Sequence, residues 1–190
     1  MKNKISLFLV LLIFFCSCQK KNSENVPNEQ NTKQEGRKTE MIISSLSFKE
    51  GEIIPSVFTC DGENISPQLS WTGSPVNTKS FALISDDPDA PSGDWVHWVI
   101  YNIPSSVSKL PENIAKNKTL SNGTKQGMND FKKTGYDGPC PPGGTHRYYF
   151  KLYAIDHLMD KDEGLTKKEL LRAMEGHILS EAQLMGKYKR

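Results

Sequence analysis

Apolar residues along this chain come in short alternating runs separated by Gly, Pro, Asn and Ser, with one change of period near the C-terminus. Met41 to Phe48, Gln68 to Trp71, Ser80 to Asp86, Trp95 to Ile103 and Thr145 to Ile155 have the composition of strands. Their cadence predicts a mainly β protein, a two-sheet antiparallel β-sandwich with a C-terminal helix. In the strand from Trp95, alternation assigns Trp95, His97, Val99 and Tyr101 to one face and Val96, Trp98 and Ile100 to the other. Both faces are apolar, as in a strand buried on two sides. In the strand from Thr145, His146 and Tyr148 share a face with Phe150 and Leu152. Thr166-Lys167-Lys168-Glu169 has the form of a capping box, and Leu170, Leu171, Met174, Ile178, Glu181 and Met185 follow a helical stripe. That pattern predicts a helix from about Lys167 to Met185, lying against the sheet or the edge of a pocket. His177 borders the stripe and is expected to pack there, while His157, in a loop after a strand, is assigned no role.

The first residues follow a different logic. Lys2 and Lys4 precede an apolar run from Leu7 to Phe15, roughly half of what a membrane-spanning helix needs. Phe15-Cys16-Ser17-Cys18 then has the form of bacterial lipoprotein processing, with Cys18 as the lipidated first residue, in preference to an ordinary secretory cleavage nearby. Gln19 to Glu40 contain no aromatic residue and one branched apolar residue, Val26, too little to offset chain entropy on folding. Residues 1–17 therefore read as a signal peptide, 18–40 as a disordered tether reaching about 25 Å, and 41–190 as one domain. With Gln19 rather than Asp after the cysteine, the enterobacterial sorting rule points to the outer membrane, facing the periplasm.

Charge narrows the partners. The chain carries 24 basic and 22 acidic residues, and loss of Lys2 and Lys4 with the signal leaves the mature protein formally neutral. No basic stripe or Gly-rich phosphate loop is present, so nucleic acid is excluded as an expected partner.

Two turn-rich stretches carry the candidate chemistry. Ser85-Asp86-Asp87-Pro88-Asp89-Ala90-Pro91 is acidic and turn-forming and leads into the strand that holds His97. Tyr136-Asp137-Gly138-Pro139-Cys140-Pro141-Pro142-Gly143-Gly144 leads into the strand with His146 and Tyr148. Lys109 to Tyr136, polar and Gly-rich, is expected to cross the pocket mouth as irregular structure. If the two strands are neighbours, two histidines, a tyrosine and Asp87 converge at one rim. Such a set suits an anionic or zwitterionic guest better than a hard cation.

Asp87-Pro88-Asp89-Ala90-Pro91 followed by Trp95-Val96-His97, together with Gly144-Thr145-His146-Arg147-Tyr148, closely resembles the two signature regions of the phosphatidylethanolamine-binding protein family, also called Raf kinase inhibitor-like proteins. Phe58-Thr59-Cys60-Asp61-Gly62, Ser66-Pro67 and Gly135 to Pro142 look like its bacterial and archaeal branch, and the resemblance spans about Ile42 to Tyr188. It implies a two-sheet sandwich with a small anion pocket at one end, occupied in different members by phosphate, phosphorylated side chains or a phosphoethanolamine headgroup. By motif it implies that Asp87, His97, His146 and Tyr148 line that pocket and that the backbone near Cys140 contacts phosphate. Cys140 stands where eukaryotic relatives have glycine, and the segment from Pro142 to His146 is shorter; both bear on headgroup specificity. Arg147, on the alternate face, is expected to form a structural ion pair with Asp89 or Asp94.

Once Cys16 leaves with the signal and Cys18 carries lipid, Cys60 and Cys140 remain as a pair in an oxidising compartment. A disulfide is expected, worth about 4 kcal/mol by chain entropy. A metal site with His97 or His146 is the alternative, weakened by the absence of Cys-x-x-Cys spacing. The expected function is a lipid-anchored periplasmic binding module for a small anionic or phospholipid-headgroup ligand, without cofactor, metal or catalytic residues. The alternatives are an acid-base enzyme acting on a phosphoester through Asp87 and the two histidines, or a protein inhibitor docking through the pocket rim.

Overall fold

A computed structural model describes residues 40–160 and 164–190; the expected signal peptide, the expected lipidation at Cys18 and the expected tether fall on residues 1–39, outside the described residues. Nine elements follow in order: β1 (Ile42–Ser44), β2 (Leu69–Thr72), β3 (Ser80–Asp87), β4 (Trp95–Pro104), β5 (Lys109–Leu110), β6 (Lys125–Gln126), β7 (Thr145–Ile155), α1 (Lys167–Met174) and β8 (Ile178–Lys189), with a 3-10 turn at Ser56–Phe58 among the described residues. They build two antiparallel sheets, β1-β2-β5 and β6-β4-β3-β7-β8. The two-sheet, mainly β expectation holds.

Alternation explains the layers. From β3, Phe81 and Leu83 face the smaller sheet with Trp98, Ile100, Phe150 and Leu152, and meet Ile43, Leu69 and Trp71 there. Ala82 and Ile84 point the other way and, with Val99, Tyr101 and Tyr153, cover Leu170 and Met174 of α1. Every residue of β3 is buried, as a central strand between two apolar layers requires. The helix begins where the capping box places it: Thr166 accepts from the Glu169 amide and the Glu169 side chain returns to the Thr166 amide.

The helix is shorter than the stripe suggested. It ends at Met174, Gly176 turns the chain at φ +79°, and Ile178–Lys189 runs antiparallel beside β7 from Thr145 to Ile155. The same residues carry both periods. Read at period two, Leu184 and Tyr188 face the core, and Gly186 lies between them, where an added Cβ would come within 2.5 Å of Ile54 Cγ1. The deciding factor is the row of β7 backbone groups on that edge, which need partners that a helix cannot supply.

Two further differences position the site. β4 and β7 are not neighbours, because β3 runs between them and delivers Asp87 to the gap. In β4, Ser85 pairs with Trp98 and Asp86 with Val96, which leaves His97 as the extra residue of a bulge. The bulge breaks the expected alternation: Val96 packs with Val99 and Tyr101, while Trp98 and Ile100 face the opposite layer.

Candidate functional site

Asp87 ends the inward-facing series of β3, and His146 and Tyr148 begin that of β7. At this end of the sheet His146 Nδ1 lies 2.7 Å from Asp87 Oδ2, with the side chains 9% and 4% exposed. The other carboxylate oxygen accepts from the Asp89 amide at 2.8 Å, so the Asp-Pro-Asp turn fixes the carboxylate it carries. Arg147 grips Asp89 through Nη2 at 2.6 Å and Nε at 2.8 Å. This is the expected ion pair, and its hydrogen bonds hold the Asp89 carboxyl down at about 2. Asp94 pairs with Lys167 instead, which also meets the buried Asp86 at 2.6 Å beside Lys151.

His97 is turned by its bulge towards the long Gly- and Pro-rich loop. Its Nδ1 lies 2.7 Å from the Asp137 carbonyl, and its own carbonyl accepts from the Asp137 amide at 3.0 Å. A carbonyl only accepts, so Nδ1 carries the proton. Burial pushes the imidazole below its ordinary range, against the opposing pull of the Asp137 carbonyl and the Asp87 carboxylate. His97 is therefore neutral near pH 7, with Nε2 bare. The Tyr148 hydroxyl is buried beside the Asp87 carboxylate and the Cys140 amide, and neither contact reaches full hydrogen-bond geometry. Burial first and the Asp87 charge second push its ionisation up, and the Cys140 amide is a further neighbour; the group stays an O–H donor.

Asp87 and His97 border a cavity of about 190 Å³, walled also by Pro91, Trp95, Phe131 and Cys140 among others. His146 and Tyr148 do not line it. They stand behind the wall, His146 through its bond to Asp87 and Tyr148 edge-on to the His97 ring at 5.2 Å. Phe131 closes one side, edge-on to both Trp95 and His97 at 5.4 Å, so the Lys109 to Tyr136 segment does reach the mouth, but it is not wholly irregular, since β5 and β6 lie within it. A larger hollow of about 660 Å³ lies along Glu40 to Ile43 and Glu181 to Gln183. Its one lining lysine, Lys151, is already committed to Asp86.

Sequence reasoning missed the residues that hold the loop. Asp137 accepts from Asn64 Nδ2 at 3.0 Å and Asn129 Nδ2 at 2.9 Å, and the Gly138 amide donates to Asn64 Oδ1 at 2.6 Å. Tyr136 donates to the Phe58 carbonyl at 2.7 Å. Cys60 and Cys140 form a disulfide with Cα atoms 5.4 Å apart. A loop this rich in Gly and Pro supplies few partners for its own backbone, and side-chain amides elsewhere in the chain were the signal to look for. Phe131, a lone aromatic in a polar stretch, was another.

His97 makes stability depend on pH with a definite sign. Its native pKa lies below the ordinary value of 6.5. Beneath that pH the unfolded chain therefore takes up a proton that the native ring refuses. Stability is full above about pH 6.5 and falls as pH drops towards the native value, by up to about 1.4 kcal/mol per pH unit. Urea unfolding between pH 7.5 and 5 is expected to show a shallower slope for His97→Gln than for the wild type. Equal slopes would mean that the ring titrates alike in both states.

The family model described as phosphatidylethanolamine-binding protein matches residues 44–189, and the chain belongs to that family. It is 53% identical over 150 residues to a UPF0098 protein of Methanothermobacter thermautotrophicus, covering 79% of this chain and 99% of that one. A UPF0098 protein of Aquifex aeolicus is 49% identical, with 79% and 89% covered. The crystal structure of a phosphatidylethanolamine-binding protein homologue from Chlamydia trachomatis superposes with a TM-score of 0.74 at 41% identity, covering 80% of this chain and 99% of that one. That of E. coli YbcL, a member of the mammalian family by its own description, gives 0.73 at 34%, with the same coverage.

Proposed function

We propose that the cavity beside Asp87 and His97 binds a phosphorylated small molecule of the phosphoethanolamine type. In this reading the chain is a binding module held at the outer membrane, on its periplasmic side, by lipid on Cys18. The observation that carries the reading is the cavity wall itself, where the Asp87 carboxylate, fixed by His146 and the Asp89 amide, stands with His97 and Cys140. His97 Nε2 and the Asp87 carboxylate can only accept, so the guest must bring protons. A zwitterionic headgroup meets this demand, with its ammonium towards Asp87 and its phosphate towards the Cys140 side of the cavity. At about 190 Å³ the space admits a headgroup and excludes acyl chains, being smaller than the roughly 300 Å³ lower limit of drug-sized sites.

Calorimetry with O-phosphoethanolamine and inorganic phosphate tests this. Tyr148→Phe and His146→Ala are expected to weaken both by about 5- to 150-fold, and Asp87→Ala to weaken the headgroup more than phosphate. Equal affinities in all four proteins would overturn the pocket, and phosphoester turnover lost in the variants would make the chain an enzyme. Native mass spectrometry of protein from its own envelope is expected to show a lipidated chain beginning at Cys18 with a phosphorylated guest. A chain cleaved elsewhere would overturn the anchor.

A further inference from the structure

The two remaining histidines meet at the opposite end of β7 from the cavity. Asp156 and His157 follow directly on that strand, and His177 lies in the turn between α1 and β8. Backbone bonds lock both segments: the Asp156 amide donates to the His177 carbonyl at 3.3 Å, the His177 amide to the Met174 carbonyl at 2.9 Å, and Ser80 Oγ to the His157 carbonyl at 2.6 Å. His177, expected to pack against an apolar stripe, instead projects from the surface and places Nδ1 2.8 Å from Asp156 Oδ1. His157 Nδ1 lies 3.4 Å from the same oxygen, and the two rings stand with centroids 4.1 Å apart.

An ordinary histidine-aspartate pair accounts for His177. It leaves the second ring with its Nδ1 sealed from solvent, 3.4 Å from the same oxygen and outside hydrogen-bond geometry. A shared ion accounts for both. Bonds of about 2.1 Å from one metal to nitrogen and oxygen separate the ligand atoms by roughly 3.0 to 3.4 Å at right-angled to tetrahedral geometry. The observed 2.8 and 3.4 Å fall close to that range, and each of the three residues offers one ligand atom within 4.8 Å of the others, a spread that rotation of the exposed His177 side chain can close. We infer that Asp156, His157 and His177 form a binding site for a divalent transition-metal ion of the zinc, cobalt or nickel kind. Two imidazoles and one carboxylate select these ions over calcium or magnesium, which require mostly oxygen ligands. Each ring would present the Nδ1 lone pair and carry its proton on Nε2. The side chains are 33% to 47% exposed, so the remaining coordination positions open to solvent. About ten residues of strand at roughly 3.3 Å each separate this site from the cavity, and neither depends on the other.

Tag-free full-length protein, stripped with chelator, is titrated with zinc chloride by calorimetry and with cobalt chloride by absorption. One equivalent of zinc is expected to bind the wild type and raise its melting temperature. His157→Ala and His177→Ala are each expected to weaken zinc by at least about a hundredfold, while Glu112→Ala, an exposed carboxylate elsewhere on the surface, binds it as the wild type does. The cobalt form is expected to show the intense visible bands of a four- or five-coordinate ion. The wild-type measurements stand even if a variant fails to fold. No saturable zinc binding, a weak spectrum like that of hydrated cobalt, undiminished binding in both histidine variants, or loss in Glu112→Ala would each overturn the site.

Discussion

Replacing Cys60 and Cys140 together by serine is expected to lower the free energy of unfolding by about 4 kcal/mol. The bridge joins residues separated by 80 positions, so it removes a large loop-closure entropy from the unfolded chain. The contacts beside the bridge do not run through its sulfur atoms: the Cys60 amide donates to the Pro139 carbonyl at 3.1 Å, and Tyr136 donates to the Phe58 carbonyl. The double variant should therefore fold to the same architecture, with its urea midpoint displaced and its denaturant slope increased by a more expanded unfolded state. A loss below about 1 kcal/mol would mean that the unfolded chain is already compact between the two positions.

Gly138→Ala is expected to cost about 3 kcal/mol, at the upper end for an overpacked site, and to weaken ligand binding as well. An added Cβ would fall 2.0 Å from the Phe58 carbonyl oxygen and 2.8 Å from Thr59 Cα. Both are backbone atoms, so no rotamer change relieves the clash and one segment must move. Movement of the 135–142 loop would strain the Gly138 amide bond to Asn64 and displace Asp137, whose carbonyl holds the His97 ring. Gly143→Ala is the control, since nothing lies within 4 Å of a Cβ there; it should leave stability within about 0.5 kcal/mol of wild type. Matched stabilities for the two variants would show that the loop yields freely and that the close approach is not what fixes the pocket.

Several features could be read from the chain because they depend on residues close together in it. The strands β3, β4 and β7 follow from composition and turn residues, with His146, Tyr148, Phe150 and Leu152 on one face of β7. The capping box at Thr166 is closed within four residues. The Asp-Pro-Asp turn binds its own backbone within two. The signature motifs around His97 and His146 pointed to the family that the comparison confirms.

Tertiary structure decided the rest, because the groups that settle it are distant in sequence. Ile178 to Lys189 satisfies both a helical and a strand period, and only the unpaired edge of β7 makes strand the lower-energy choice. β3 enters between β4 and β7, which converts a guessed pair of neighbouring histidine strands into an Asp87–His146 bond with His97 across the gap. The bulge that turns His97 appears only when β4 is registered against β3. Its tautomer is set by a carbonyl 40 positions away. Asn64 and Asn129 are unremarkable polar residues until the fold brings them to Asp137. His157 and His177 have no motif at all and meet because β7 and β8 end side by side. A local pattern records which conformations a segment can adopt. Which of them is occupied depends on the hydrogen-bonding and charged groups that the rest of the chain carries to it.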